Sequence, residues 1–271
     1  MKDEESYRKQ TDFKALGALL RSNLPETPRL GLLYTQIDLA RLSQEDSFRR
    51  WQSNQRTSSL LLLSGKNHES ATGTGFCWIS SAVTVLEAHL IADDPDAYIA
   101  RYSCCAKGPS DSSPLDSLFS SIIFQVLGWS PGLIRIKYQE YKTRLKSAEW
   151  RTEDYREIIQ TRAEWLVSIL NFFRLSKPVY ILLDRIDRAL GKVAADDEEE
   201  QQIMAVIDAL LQIVKNVNPD ICVVKILAVS DSNLYPIEQS LLDRLEKQWK
   251  PALLASRLDW NQELEEAVKS Y

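Results

Sequence analysis

The stretch VYILLD, residues 179–184, carries no charge until its closing Asp and follows directly on Pro178. A run so short and so apolar cannot fill a helix; it suits a β-strand that is covered on both faces. Three further runs are nearly as apolar: Ser59 to Ser64, and AYIARYSCC at 97–105 and ICVVKILAVS at 221–230 with one charge each. Segments of helical periodicity separate them. Strands buried on both faces and alternating with helices predict parallel βαβ units, hence an α/β fold with a parallel sheet between two helical layers.

The helical segments carry their own signals. Residues 76–90 form a helix candidate that AspAspProAsp at 93–96 ends, and Ser113, Pro114 and Asp116 read as an N-cap, a first-turn proline and a closing acid before a helix at about 115–128. From 152 to 174, Tyr155, Ile158, Ile159, Leu166, Ile169, Leu170 and Phe173 recur at helical spacing. The acidic run 196–200 suits a solvated helix start, whose dipole favours negative charge, and Ile203, Val206, Ile207, Leu210, Leu211 and Val214 follow as its buried face. The amphipathic stretch 237–254 is expected to pack on the core. The chain divides into a helical lead-in at 1–58, a core at 59–235 and a C-terminal helical segment at 236–271.

Composition narrows the function classes. The chain has 271 residues, 44% of them apolar, and a formal net charge of −5. A net negative chain argues against nucleic acid as a partner, because such binding needs clustered Lys and Arg. No run approaches the roughly 18 apolar residues of a membrane span, and MKDEESYRKQTD at the start holds no apolar signal core. A cytoplasmic location is expected. The four cysteines, Cys77, Cys104, Cys105 and Cys222, lack metal-ligand spacing, and His68 and His89 are the only histidines. Reduced, buried thiols and no His-rich metal site follow. The tryptophans are expected mainly in packing roles.

Ligands of open parallel sheets bind at the carboxyl ends of the strands. Three ends are suggestive here: Gly65 onward, Asp184 and Ser230. The first opens the stretch LLLLSGKNHESATGTGFCWIS, residues 60–80, which has the order of a strand, a glycine-bearing loop and a helix start. A phosphate-binding loop needs glycines so that backbone N–H groups wrap the phosphate, a lysine for the β/γ-phosphates and a hydroxyl for Mg²⁺. A second strand ending in Asp then supports the metal.

Taken in order, these segments resemble the NACHT-type signal-transduction NTPases of the STAND class, in particular the large fungal set. SFRRWQ with Trp51 resembles the aromatic lead-in, and LLLLSGK resembles the approach LLWIxGKPGSGKS. AYIARYSCC and LDSLFSSIIFQVLGWSPGLI are similar to the second strand and its following helix. VYILLDRIDRA resembles the Walker B segment YILIDALDEC, and VVKILAVSDSN the sensor segment KILVTSRP. The resemblance spans roughly residues 15–235. It implies a P-loop NTPase fold, with Gly65, Lys66, Thr72, Gly73, Thr74 and Gly75 at the nucleotide and Asp184 and Asp187 at Mg²⁺. Members of that class continue into helical domains and a repeat array, whereas this chain ends about 40 residues after its sensor strand. The resemblance therefore suggests a shortened paralogue, a decoy or a subunit that pairs with a longer relative.

The departures from the pattern bear on chemistry. Aligned without a gap from Gly65, the lysine position is Ala71 and the hydroxyl position Thr72; aligned through Gly73, Thr74 and Gly75, the lysine position is Phe76 and the hydroxyl position Cys77. Neither register holds a lysine, although Lys66 is a conceivable substitute. Asp184 and Asp187 are kept, but the acid that would polarise water is Arg188, and the sensor arginine is Asp231. Each loss removes a different support of the transition state. Two expectations follow: a non-catalytic module acting through a protein partner or self-association, with no cofactor; or a divergent ATP- or GTP-binding switch using Mg²⁺. Bland alternatives stand beside them, with Asp184 capping the next turn and Gly73 and Gly75 serving a tight turn.

Overall fold

A computed structural model describes residues 39–66, 78–104, 114–130, 154–173, 177–189, 196–231 and 239–259, with Gly132, Glu140 and Leu175 besides. Helices α1 (Leu39–Leu42) and α2 (Asp46–Ser53) precede β1 (Ser59–Lys66). A 3₁₀ turn, Trp78–Ser80, leads into α3 (Ser81–Asp93), then β2 (Tyr98–Ser103), α4 (Pro114–Gly128) and α5 (Tyr155–Leu170). After β3 (Val179–Asp184) and a second 3₁₀ turn, Ile186–Arg188, come α6 (Asp196–Asn216), β4 (Val224–Asp231), α7 (Gln239–Trp249) and β5 (Leu253–Asp259). The expected α/β architecture is present.

All pairings are parallel and the strand order is β2-β3-β4-β1-β5. The side-chain alternation of each strand divides the core in two. Leu60 and Leu62 of β1, Val179, Ile181 and Leu183 of β3, and Val224, Ile226 and Ala228 of β4 pack with α4, α5 and α6. Leu61, Leu63, Tyr180, Leu182, Leu227 and Val229 face the opposite way, toward α1, α2 and α3. The result is three layers. Each fully buried leucine contributes on the order of 2 kcal/mol, so the four consecutive leucines of β1, all 0% exposed, tie the layers together through one strand.

The two helical layers follow from the handedness of βαβ crossovers. The connection from β1 to β2 passes over the α3 face, skipping two strand positions. Those from β2 to β3 and from β3 to β4 return over the α4, α5 and α6 face, in the opposite direction. Strand β1 therefore lies where the winding reverses, and the carboxyl ends of β1 and β4 form the fold's natural ligand crevice.

The strand assignments from sequence match at β3 and shift at the others. Strand β4 begins at Val224 because Ile221 and Cys222 donate to the Asn218 carbonyl in a turn. Residues 253–259, inside the stretch read as a helical C-terminal segment, form a strand paired to β1 from Leu60↔Leu253 to Lys66↔Asp259. The helix stops at Trp249, two residues before Pro251, and the apolar side chains beyond it have a sheet edge to join. At the other edge, the Gln125 amide donates to the Arg101 carbonyl at 2.8 Å and its oxygen accepts the Arg101 N–H at 3.0 Å. That side chain caps backbone groups that an edge strand would otherwise expose.

Candidate functional site

The structure sets the carboxyl ends of β2, β3, β4 and β1 side by side. Gly65 lies opposite Asp231 across the β1–β4 ladder, and Ser103 lies opposite Asp184 across β2–β3. Gly65 is required by proximity: a Cβ there would lie 2.9 Å from Ile79 Cδ1 and 3.0 Å from its Cβ and Cγ2. The end of β1 is thus pressed against the 3₁₀ turn that leads into α3. Lys66 is the last residue of β1; its side chain, and all of Ala71, Thr72, Gly73, Thr74, Gly75 and Phe76, lie outside the described residues.

Asp184 points to the α3 side of the sheet. Its Oδ2 accepts from the Ser103 hydroxyl at 3.0 Å, while Oδ1 is buried without a hydrogen-bond partner. Burial raises its pKa, against the pull of Ser80, Ser103, Arg185 and Arg101 toward the carboxylate. Ser80 lies near enough to favour the charge without completing a bond to Oδ1. The alternative that Asp184 caps the following turn is corrected: the residue before that turn's first is Arg185, and no side chain caps it. Two hydroxyls on the opposite side of the sheet, Ser64 Oγ and Ser230 Oγ, are also buried and unpartnered.

Asp187 and Asp231 meet at a residue the motif reading passed over. Arg185 adopts a left-handed backbone, φ 61° and ψ 53°, which turns its side chain back under the strand ends. Its Nε lies 3.2 Å and 3.1 Å from the two Asp187 oxygens, and Nη2 lies 2.9 Å from Oδ2. Nη2 also lies 3.4 Å from Asp231 Oδ2. The side chains of Arg185 and Asp187 are fully buried and that of Asp231 is 5% exposed. The Asp231 backbone N–H donates to Asp187 Oδ1 at 2.9 Å. Arg188, at the position of the water-polarising acid, is half-buried in the same 3₁₀ turn. The signal for Arg185 in the sequence is its place: a cation between two acids, directly after a strand buried throughout.

The sequence matches the nephrocystin 3, N-terminal family over residues 40–230, from α1 to the penultimate residue of β4. The chain belongs to that family. No match was found among curated proteins. The nephrocystin 3 N-terminal match covers well over half of the chain and contains β1, β3 and β4 with their carboxyl-end residues up to Ser230. It does not reach the narrower NACHT-type assignment or the fungal origin that the motifs suggested. Among the described residues no helix is long and apolar enough to cross a membrane.

Proposed function

We propose that the protein is a catalytically degenerate, NACHT-like signalling or assembly module of cytoplasmic, fungal origin that works by binding a protein partner or by self-association. The observation that carries this reading is the use of Arg185. A phosphate site needs cationic charge to balance the ligand and its transition state. At the ends of β3 and β4, the buried guanidinium is already engaged by Asp187 and Asp231. The same pairing occupies Asp187, one of the two carboxylates expected at Mg²⁺. Together with Ala71 or Phe76 at the lysine position and Arg188 at the acid position, this leaves phosphoryl transfer without its electrostatic support. The residues therefore fit a nucleotide–metal pair poorly.

One observation favours a second reading, a nucleotide-occupied switch. Asp184 Oδ1 is buried and unpartnered beside the strand ends, as an atom awaiting a ligand would be. Titration calorimetry with ATP, ADP and GTP, each with and without Mg²⁺, separates the two. The module reading expects no binding heat and no thermal stabilisation at millimolar nucleotide. Micromolar binding that tightens with Mg²⁺ would replace it with the switch.

A further inference from the structure

We propose that Arg185, Asp187 and Asp231 form a built-in fastener that joins the ends of β3 and β4 beyond the last rung of their ladder, so that the strand ends keep one arrangement with or without nucleotide. The inference rests on the non-catalytic reading and adds how the vacated chemistry was rebuilt. It starts from the ladder. Strands β3 and β4 pair as far as Leu183↔Ala228, whereas β4 continues beside β1 to Gly65↔Asp231. Beyond Ala228, β4 needs a partner on its β3 side. The Asp187 carboxylate supplies it by accepting the Asp231 N–H at 2.9 Å.

A carboxylate in that place is stable only when its charge is met, because an isolated buried ion loses far more hydration than it recovers. Arg185 meets it through two nitrogens, a forked geometry that lysine cannot reproduce. The left-handed backbone at Arg185, unfavourable for a side-chain-bearing residue, is what brings the fork there. Asp231 then explains itself. An arginine at 231, as in the sensor segment the chain resembles, would set a second cation beside a buried guanidinium; an aspartate instead places a second carboxylate 3.4 Å from it. What looks like a lost sensor is a second carboxylate on the Arg185 guanidinium.

Thermal unfolding of the full chain, with and without millimolar Mg·ATP, tests this in Arg185→Met, Asp187→Asn, the double variant, Asp231→Arg, and Arg185→Met combined with Asp231→Arg. Each of Arg185→Met and Asp187→Asn is expected to lower Tm by roughly 10 °C, and the double variant by no more than the worse single. Asp231→Arg is expected to destabilise alone and to recover part of the loss when Arg185 is Met, because the relocated cation then faces Asp187. Additive single losses, or no recovery in the relocated pair, would overturn the fastener even if nucleotide has no effect. If Arg185→Met does not fold, Asp231→Arg against Asp231→Asn carries the test: equal Tm values overturn it. A wild-type Tm raised by Mg·ATP would instead replace the module reading with the nucleotide-occupied switch, and overturn nucleotide independence with it, whatever the coupling shows.

Discussion

The two ends of the sheet each bury a cation, and they treat it differently. At the carboxyl end Arg185 sits between Asp187 and Asp231. At the amino end Lys225, 1% exposed, donates to the Trp51 carbonyl and the Ser59 hydroxyl, both at 3.0 Å, and lies over the Trp51 ring. The first cation has ionised partners, the second neutral ones. Burial accordingly brings the Lys225 pKa down to about 8, since an ammonium without a counter-ion sheds its proton more readily than it stays dehydrated. A guanidinium has no such escape. The end that carries the motif residues pairs its charges with one another, while the other end holds an ammonium that is still mostly protonated at neutral pH and loses its proton more easily than a free lysine.

The largest effect is expected from exchanging the chemistry at the amino end. Lys225→Arg places a permanent, bulkier charge among neutral acceptors and should cost about 3 kcal/mol or more in urea unfolding. Near-wild-type stability would mean that these neutral acceptors hold a guanidinium as well as an ammonium, and the contrast between the two ends would fall. Next comes Gly65→Ala. The added methyl meets Ile79 at 2.9–3.0 Å, an overpacking expected to cost about 1–3 kcal/mol. Pairing it with Ile79→Val should return part of that loss. No recovery would place the clash at the Ile79 Cβ and Cγ2, which valine keeps, rather than at Cδ1.

Much of the fold was legible because burial on both faces leaves a plain mark. VYILLD becomes β3 without a shift, and the apolar positions of α6 are those that its 3.6-residue period marks. Strand β5 was hidden because PALLASRLD continues the apolar pattern of the amphipathic stretch before it; Pro251 is the break that separates helix from strand. The site was legible only in part. Asp184 and Asp187 stand at a strand end that sequence can place, but a single chain of letters does not say that β3 and β4 are neighbours. That adjacency is what turns Arg185 and Asp231 into partners 46 positions apart. The buried thiol expected at Cys222 is found, with burial pushing its pKa up to about 12.

The pH dependence of stability sharpens the comparison at smaller amplitude. Lys225 titrates near 8 when folded against 10.5 as its ordinary value, so the unfolded chain binds one more proton between these limits. Stability then rises with pH from about 8 toward 10.5 on account of this group, and below 8 the full penalty of a buried ammonium is present. Lys225→Met removes that rise. At pH 7 its stability should lie within about 1 kcal/mol of wild type, because relief of the dehydrated charge offsets the lost hydrogen bonds to Trp51 and Ser59. An unchanged slope between pH 8 and 10.5 in this variant would assign the titration to another group.

The smallest expected effect calibrates the others. Arg50 of α2 and Glu246 of α7 approach at 3.5 Å with side-chain exposures of 52% and 23%, an ion pair with no shelter comparable to that of Arg185. Water solvates both charges about as well apart as together, and holding two long side chains in register costs rotamer entropy. Arg50→Gln should therefore change unfolding free energy by less than about 0.5 kcal/mol, with little dependence on salt. A loss as large as that from Gly65→Ala would mean that α2 and α7 are held across the β5 edge by charge. In that case, burial would not be what distinguishes the charge pairs of this protein, and the strength of the Arg185 cluster would need another cause.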